Sequence, residues 1–160
     1  NWAWANYYNL PLNEFTEITN NALTNNFPVA WASEVSESFF SFKNGLAIVP
    51  AKDWDKMSKG ERDTLFIIPA KERVITQETR QTSFDNLSTQ DDHGMQLTGI
   101  VKDQNGVQYY IVKNSWGKEG NDCGGYFYAS QAYFEYKTVG IMIHKKALPK
   151  ALAQKLKITQ

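Results

Sequence analysis

Residues 92–117, DHGMQLTGIVKDQNGVQYYIVKNSWG, hold two apolar runs separated by Asp103-Gln104-Asn105-Gly106. The runs, Met95 to Val101 and Val107 to Val112, are rich in the β-branched and aromatic residues that suit a pleated surface, and the separator is turn chemistry, so the stretch predicts a β-hairpin. Asn105 and Gly106 tolerate left-handed backbone angles, either in a two-residue loop or in a type I turn closed by a glycine bulge. The hairpin's outer ends carry His93 on one strand and Asn114 on the other. A simple turn at 104–106 sets His93 opposite a residue near Gly117, leaving Asn114 offset by about three residues, roughly 10 Å at strand rise. Bringing the two together requires a bulge, with Gly94 and Gly99 as candidate positions, or a longer loop.

Asp92-His93-Gly94, Lys113-Asn114-Ser115-Trp116-Gly117 and Gly124-Gly125-Tyr126 resemble the His and Asn segments of papain-like cysteine peptidases. The finer resemblance is to the bleomycin hydrolase, or aminopeptidase C, branch. It runs through Tyr7-Tyr8-Asn9-Leu10-Pro11-Leu12, Phe42-Lys43-Asn44-Gly45, Thr89 to Gly99, and Tyr136-Lys137-Thr138 with its lysine-rich tail. The resemblance covers nearly the whole chain. It implies an α+β fold, the β-rich right-hand half of a papain-like domain, with an antiparallel sheet and flanking helices. Residues 1–160 are then the C-terminal part of a peptidase domain, with a helical insertion around 51–91 and a C-terminal arm around 148–160.

A cysteine peptidase needs a thiolate, a base that takes its proton and returns it to the leaving amine, and a third group that orients the base. Imidazole exchanges protons near neutral pH, which suits His93 to the second role. An uncharged amide orients the ring without a permanent ion pair, which suits Asn114 to the third. By the resemblance Trp116 shields that contact from water, and Asp92 belongs to the same supporting set. From residue types alone a strand-end histidine and asparagine are more often structural hydrogen-bonding residues than catalysts. The family motif favours catalysis.

The thiolate is the missing part. In papain-like enzymes it lies about 130–150 residues before the His and Asn segments. Here 92 residues precede His93 and none is cysteine. The single cysteine, Cys123, follows the hairpin in a glycine-rich turn, in the wrong order and without the closely spaced upstream glutamine that would complete an oxyanion hole. It reads as a small loop residue. His144 reads as a strand-end surface residue, and with two distant histidines and no repeated carboxylate pattern neither a metal site nor a cofactor is expected.

The rest of the chain frames the hairpin. Leu12, Phe15, Ile18, Ala22 and Leu23 recur at helical spacing and predict a helix over 12–25 behind Pro11. Strands are expected near 28–33, 126–129 and 139–143, a capped helix from Thr76 to Asn86, and a short helix after Ser130. A last helix is expected from Pro149 to Leu156, with Leu148, Leu152 and Leu156 on one face. Phe39 to Phe42 and Leu46 to Val49 flank a turn at 43–45 and read as further strand or irregular aromatic packing, with Phe39, Phe40 and Phe42 in the core.

A chain of 160 residues can bury roughly 70% of its unfolded surface, enough for one core. A net charge of +0 leaves no general footprint for nucleic acid or anionic lipid, and no apolar run approaches the ~18 residues of a membrane span. Peptide substrates, the N-terminal portion of the same peptidase and a hexameric assembly are the partners the resemblance implies, in a cytoplasmic setting. The alternative from another class is a catalytically dead papain-like module that binds peptides or proteins through Trp2, Trp4, Tyr7 and Tyr8.

Overall fold

The computed structural model describes residues 7–159. Helix α1, Leu12–Thr24, starts where Pro11 offers a carbonyl to Phe15, and it ends at Asn25 and Asn26, the latter at φ +62°. Asparagine is one of the few residues that take that conformation at low cost. Strands β1 (Val29–Ser33), β2 (Phe40–Ser41) and β3 (Leu46–Ala47) follow, then a 3-10 turn at Trp54–Lys56 and helices α2 (Lys59–Thr64) and α3 (Gln77–Asp85). The hairpin strands are β4 (His93–Lys102) and β5 (Gln108–Lys113). After them come β6 (Tyr126–Ser130), α4 (Gln131–Lys137), β7 (Thr138–Met142), a 3-10 turn at Lys145–Ala147 and α5 (Lys150–Lys155).

The seven strands form one sheet in the order β2-β3-β6-β5-β4-β1-β7. All pairs are antiparallel except β3 with β6, which makes the sheet mixed rather than purely antiparallel. The parallel pair arises because β2 and β3 form their own short hairpin and attach to β6 across the far edge. The expected strands near 28–33, 95–102, 107–113, 126–129 and 139–143 all appear. Strand β4 starts two residues earlier than its apolar run, because His93 and Gly94 pair with Ser33 and Ala32 of β1.

Helices α1 and α4 cover the core face. Phe15 stacks on Phe134 with centroids 4.9 Å apart and planes 6° from parallel. Phe134 meets the rings of Trp31 and Tyr110 in turn. Trp31 is buried at the centre of β1, and its indole N–H donates to Thr138 Oγ1 at 2.7 Å, which spares it the cost of an unpaired buried donor. Ser130 caps α4 by accepting from Tyr133 N, and Thr76 caps α3 with a reciprocal bond to Thr79. Helix α2 falls within the 51–91 stretch expected to be helical, at a position the sequence does not single out. Its Ser58–Glu61 capping box forms despite Gly60.

The C-terminal segment lies along α1. Leu148, Leu152 and Ala153 pack with Ile18 and the half-buried Ile158, while Leu156 stays outside this cluster. Lys155 pairs with Glu14, and Lys145 Nζ donates to the carbonyl of Thr159. Tyr7 and Tyr8 are exposed, whereas Trp2, Trp4 and Gln160 lie outside the described residues.

Candidate active site

The hairpin turn closes with Gly106 N donating to Asp103 O, Gly106 at φ +81°, and Asp103 Oδ1 accepting from Asn105 N and Val107 N. From there the ladder runs regularly to Gly99↔Ile111 and resumes at Leu97↔Val112, leaving Thr98 unpaired. This one-residue bulge, beside Gly99, decides the site. Extending the Gly99↔Ile111 register without it would set Asn114 opposite Gln96, on the face away from His93, because side chains alternate with period two. With it, Gln96 pairs with Lys113, so Asn114 falls opposite Met95 and shares a face with His93, two positions along. Such diagonal neighbours sit about 7–8 Å apart, within reach of an imidazole and an amide.

His93 Nε2 lies 2.8 Å from Asn114 Oδ1. The same oxygen accepts from the backbone N–H of Ser115 at 2.7 Å. A backbone N–H can only donate, so the atom it meets is the amide oxygen, and the imidazole nitrogen facing that oxygen must carry the proton. The neutral ring is therefore the Nε2–H tautomer, and Nδ1 is left as the basic nitrogen. Asn114 is 4% exposed, and its Nδ2 is buried without a hydrogen-bond partner among the described residues. Trp116 lies against the imidazole, centroids 4.7 Å apart and planes at 33°, and is itself half exposed. Phe42 and Phe40 stand edge-on to the indole at 5.0 and 6.0 Å.

Asp92 does not touch the imidazole's hydrogen-bond partners. Its two carboxylate oxygens accept from Val35 N and Ser36 N at 2.9 and 3.0 Å, which fastens the start of β4 to the chain leaving β1. A second fastening was not legible in the sequence. Lys137, buried at the end of α4, donates to Glu34 Oε2 at 2.7 Å and to the carbonyl of Ser88 at 2.9 Å, so the segment leading to His93 is held on both sides. Glu37 lies beside this pair, and burial pushes its carboxyl above the usual range against the pull of Lys137.

The structure brings His93, Asn114 and Trp116 together and leaves the other candidates elsewhere. Cys123 sits against the turn at 43–45, where Gly45, at φ +64°, has no room for a Cβ because it would collide with the thiol sulfur. His144 stacks on Phe27 and accepts from Lys146 N through Nδ1. Among the described residues no three His, Cys, Asp or Glu side chains form a group that could hold a metal ion, and no helix is long and apolar enough to cross a membrane. Besides Lys137, sequence reading missed Thr98 and the part Phe40 and Phe42 play beside Trp116. The phenylalanines looked like ordinary core, and a bulge residue has no signature of its own.

The sequence profile of the Peptidase C1-like family matches residues 3–160. Aminopeptidase C of Listeria innocua is 43% identical over 63 residues, 39% of this chain and 14% of that protein. Aminopeptidase G of Lactobacillus delbrueckii subsp. lactis is 33% identical over 58 residues, 36% of this chain and 13% of that protein. The crystal structure of PepW from Lactobacillus rhamnosis HN001 superposes with a TM-score of 0.64 at 25% identity, over 93% of this chain and 30% of that one. The chain thus spans under a third of the solved relative, and its matched stretches are about a seventh of the curated ones. With a family profile running nearly end to end over a mixed sheet whose two strand ends meet at an imidazole and an amide, the chain belongs to the Peptidase C1-like family, among the papain-like cysteine peptidases of aminopeptidase C type.

Proposed function

We propose that this chain is the base-and-orienter half of a cysteine aminopeptidase, with His93 as general base and acid and Asn114 as the group that fixes its ring. The thiolate and the oxyanion-hole donor come from residues N-terminal to this stretch. One observation carries the reading: Asn114 Oδ1, already committed to Ser115 N, holds His93 as the Nε2–H tautomer and frees Nδ1. Nδ1 would take the thiol proton, giving a thiolate–imidazolium pair. The thiolate would add to the substrate carbonyl carbon, and the same proton would pass to the departing amine nitrogen as the C–N bond breaks. Water, deprotonated by the regenerated imidazole, would then release the acyl group and restore the thiol.

The names of the relatives, aminopeptidases C and G, support peptides with a free N-terminus as substrates. Hexameric assembly belongs to the same reading. Trp116 would keep water from the His–Asn bond, and Asp92 would act through the backbone of Val35 and Ser36 rather than on the ring.

The test joins the chain to the thiol-bearing segment encoded before Asn1 and measures hydrolysis of an aminoacyl reporter. Activity blocked by thiol alkylation is expected. His93→Ala should lower kcat by roughly 10³-fold or more, the scale for losing a member of such a constellation. Asn114→Ala should lower kcat by less and leave KM nearly unchanged. Full activity in His93→Ala would refute the assignment.

A further inference from the structure

The loop between Asn114 and Tyr126 carries one side chain whose hydrogen bonds run to both walls of the site. Asn121 Oδ1 accepts from Cys123 N at 2.9 Å and Gly125 N at 2.6 Å, while Nδ2 donates to the carbonyls of Phe42 at 2.5 Å and Tyr126 at 3.0 Å. Two partners can only donate and two can only accept, so the orientation of the amide is fixed and its full capacity of two donors and two acceptor sites is used. An exposed asparagine would exchange these bonds freely with water. This one is half-buried and spends them all on backbone.

Two of the four bonds lead to residues that touch the supports of the His–Asn pair. Gly125, held by Oδ1, accepts from Asn114 N through its own carbonyl at 3.2 Å. It also has the φ of +91° and the close approach to Gly117 that bar any side chain there, since a Cβ would lie 2.7 Å from the Gly117 carbonyl oxygen. Phe42, held by Nδ2, presents its ring edge to Trp116, which lies on His93. Asp122 N donates to Lys43 O at 2.9 Å, a further tie between the loop and the 42–45 turn.

The geometry points to Asn121 as a positioning residue that couples the two supports of His93, the Asn114 backbone through Gly125 and the Trp116 indole through Phe42. It rests on the roles given above to His93 and Asn114. Its function is to keep the imidazole in one tautomer beneath one indole position, without touching substrate.

The 160 residues contain two histidines, so long-range ¹H–¹⁵N correlation spectra of the imidazoles resolve His93 with His144 as an internal control. In the unaltered chain above the imidazole titration, His93 should show one protonated and one bare nitrogen, assigned to Nε2 and Nδ1. A different tautomer there sinks the His–Asn reading itself, before any variant is compared. In Asn121→Ala the two His93 nitrogen shifts should converge toward their tautomer-averaged values while those of His144 stay put. Unchanged His93 shifts in a folded Asn121→Ala overturn the proposal. If that variant loses the His144 signature too, Asn121→Asp decides, because it keeps the acceptor for Cys123 and Gly125 and loses the donors to Phe42 and Tyr126. It should keep the His93 tautomer and change the tryptophan emission. Collapse of both variants, or a folded Asn121→Asp with unaltered emission, also overturns the assignment.

Discussion

Glu37 has its carboxyl largely out of water, with Oε1 lacking any hydrogen-bond partner among the described residues. In sequence it is one more acid in a charged stretch, Glu34 to Glu37, that gives no hint of burial. Desolvation raises its folded pKa, and the nearby Lys137 ammonium and the Tyr133 hydroxyl offset only part of that. The native state therefore holds this proton more tightly than the unfolded chain does. The stability tied to it is fully present below the unfolded value, about 4.5, and is lost as pH rises through the folded value. Replacing the carboxyl with a neutral amide removes that loss. Glu37→Gln should raise the thermal midpoint relative to the unaltered chain at pH 7 and do so less, or not at all, at pH 4. Equal shifts at both pH values, measured by thermal unfolding, would mean that Glu37 is not held protonated by its surroundings.

Strand β4 shows how an element can be read correctly in sequence and its register missed. The two apolar runs and the Asp-Gln-Asn-Gly separator announced the hairpin, and residue counting showed that a plain ladder could not join His93 to Asn114. The sequence leaves the position of the bulge open between Gly94, Gly99 and a longer loop, and the structure puts it beside Gly99. Gly99 marks the place because its hydrogen faces Ile111, where an added Cβ would lie 3.3 Å from Cδ1, but the residue left unpaired is Thr98, whose hydroxyl bonds to Ile111 O. Two deletions separate register from composition. Removing Thr98 leaves Leu97↔Val112 and Gly99↔Ile111 intact, so the ladder becomes regular and His93 keeps its face. Removing Gln96 moves His93 and Met95 to the opposite face and exposes Met95, at a cost of about 2 kcal/mol for that side chain alone. The His93 tautomer should survive the first deletion and be lost in the second, with a lower thermal midpoint for the second. Loss of the tautomer in both would contradict the register argument. Capped helices were easier to read, since Thr76 and Ser130 signal α3 and α4 by residue type alone.

For the molecule as a whole, what sequence made legible was local or carried by the family motif: the hairpin, the helical periodicity of α1, the caps, and the His, Asn and Trp segments. What it concealed was long-range. The parallel contact of β3 with β6, the buried Lys137–Glu34 pair and the grip of Asn121 on Phe42 join residues about 80 to 100 apart, and no periodicity encodes such contacts. These contacts help to hold His93 and Asn114 in place, while Cys123 packs on Gly45, and under the proposed function the nucleophile lies outside this chain. An imidazole without a thiol beside it can act only as a weak base on water, far short of covalent catalysis. The most direct measurement is the turnover of an aminoacyl reporter by the 160-residue chain alone, in the unaltered form and as Cys123→Ser. The account predicts a rate indistinguishable from buffer for both. Measurable turnover that disappears on Cys123→Ser would contradict it, since Cys123 would then be the nucleophile.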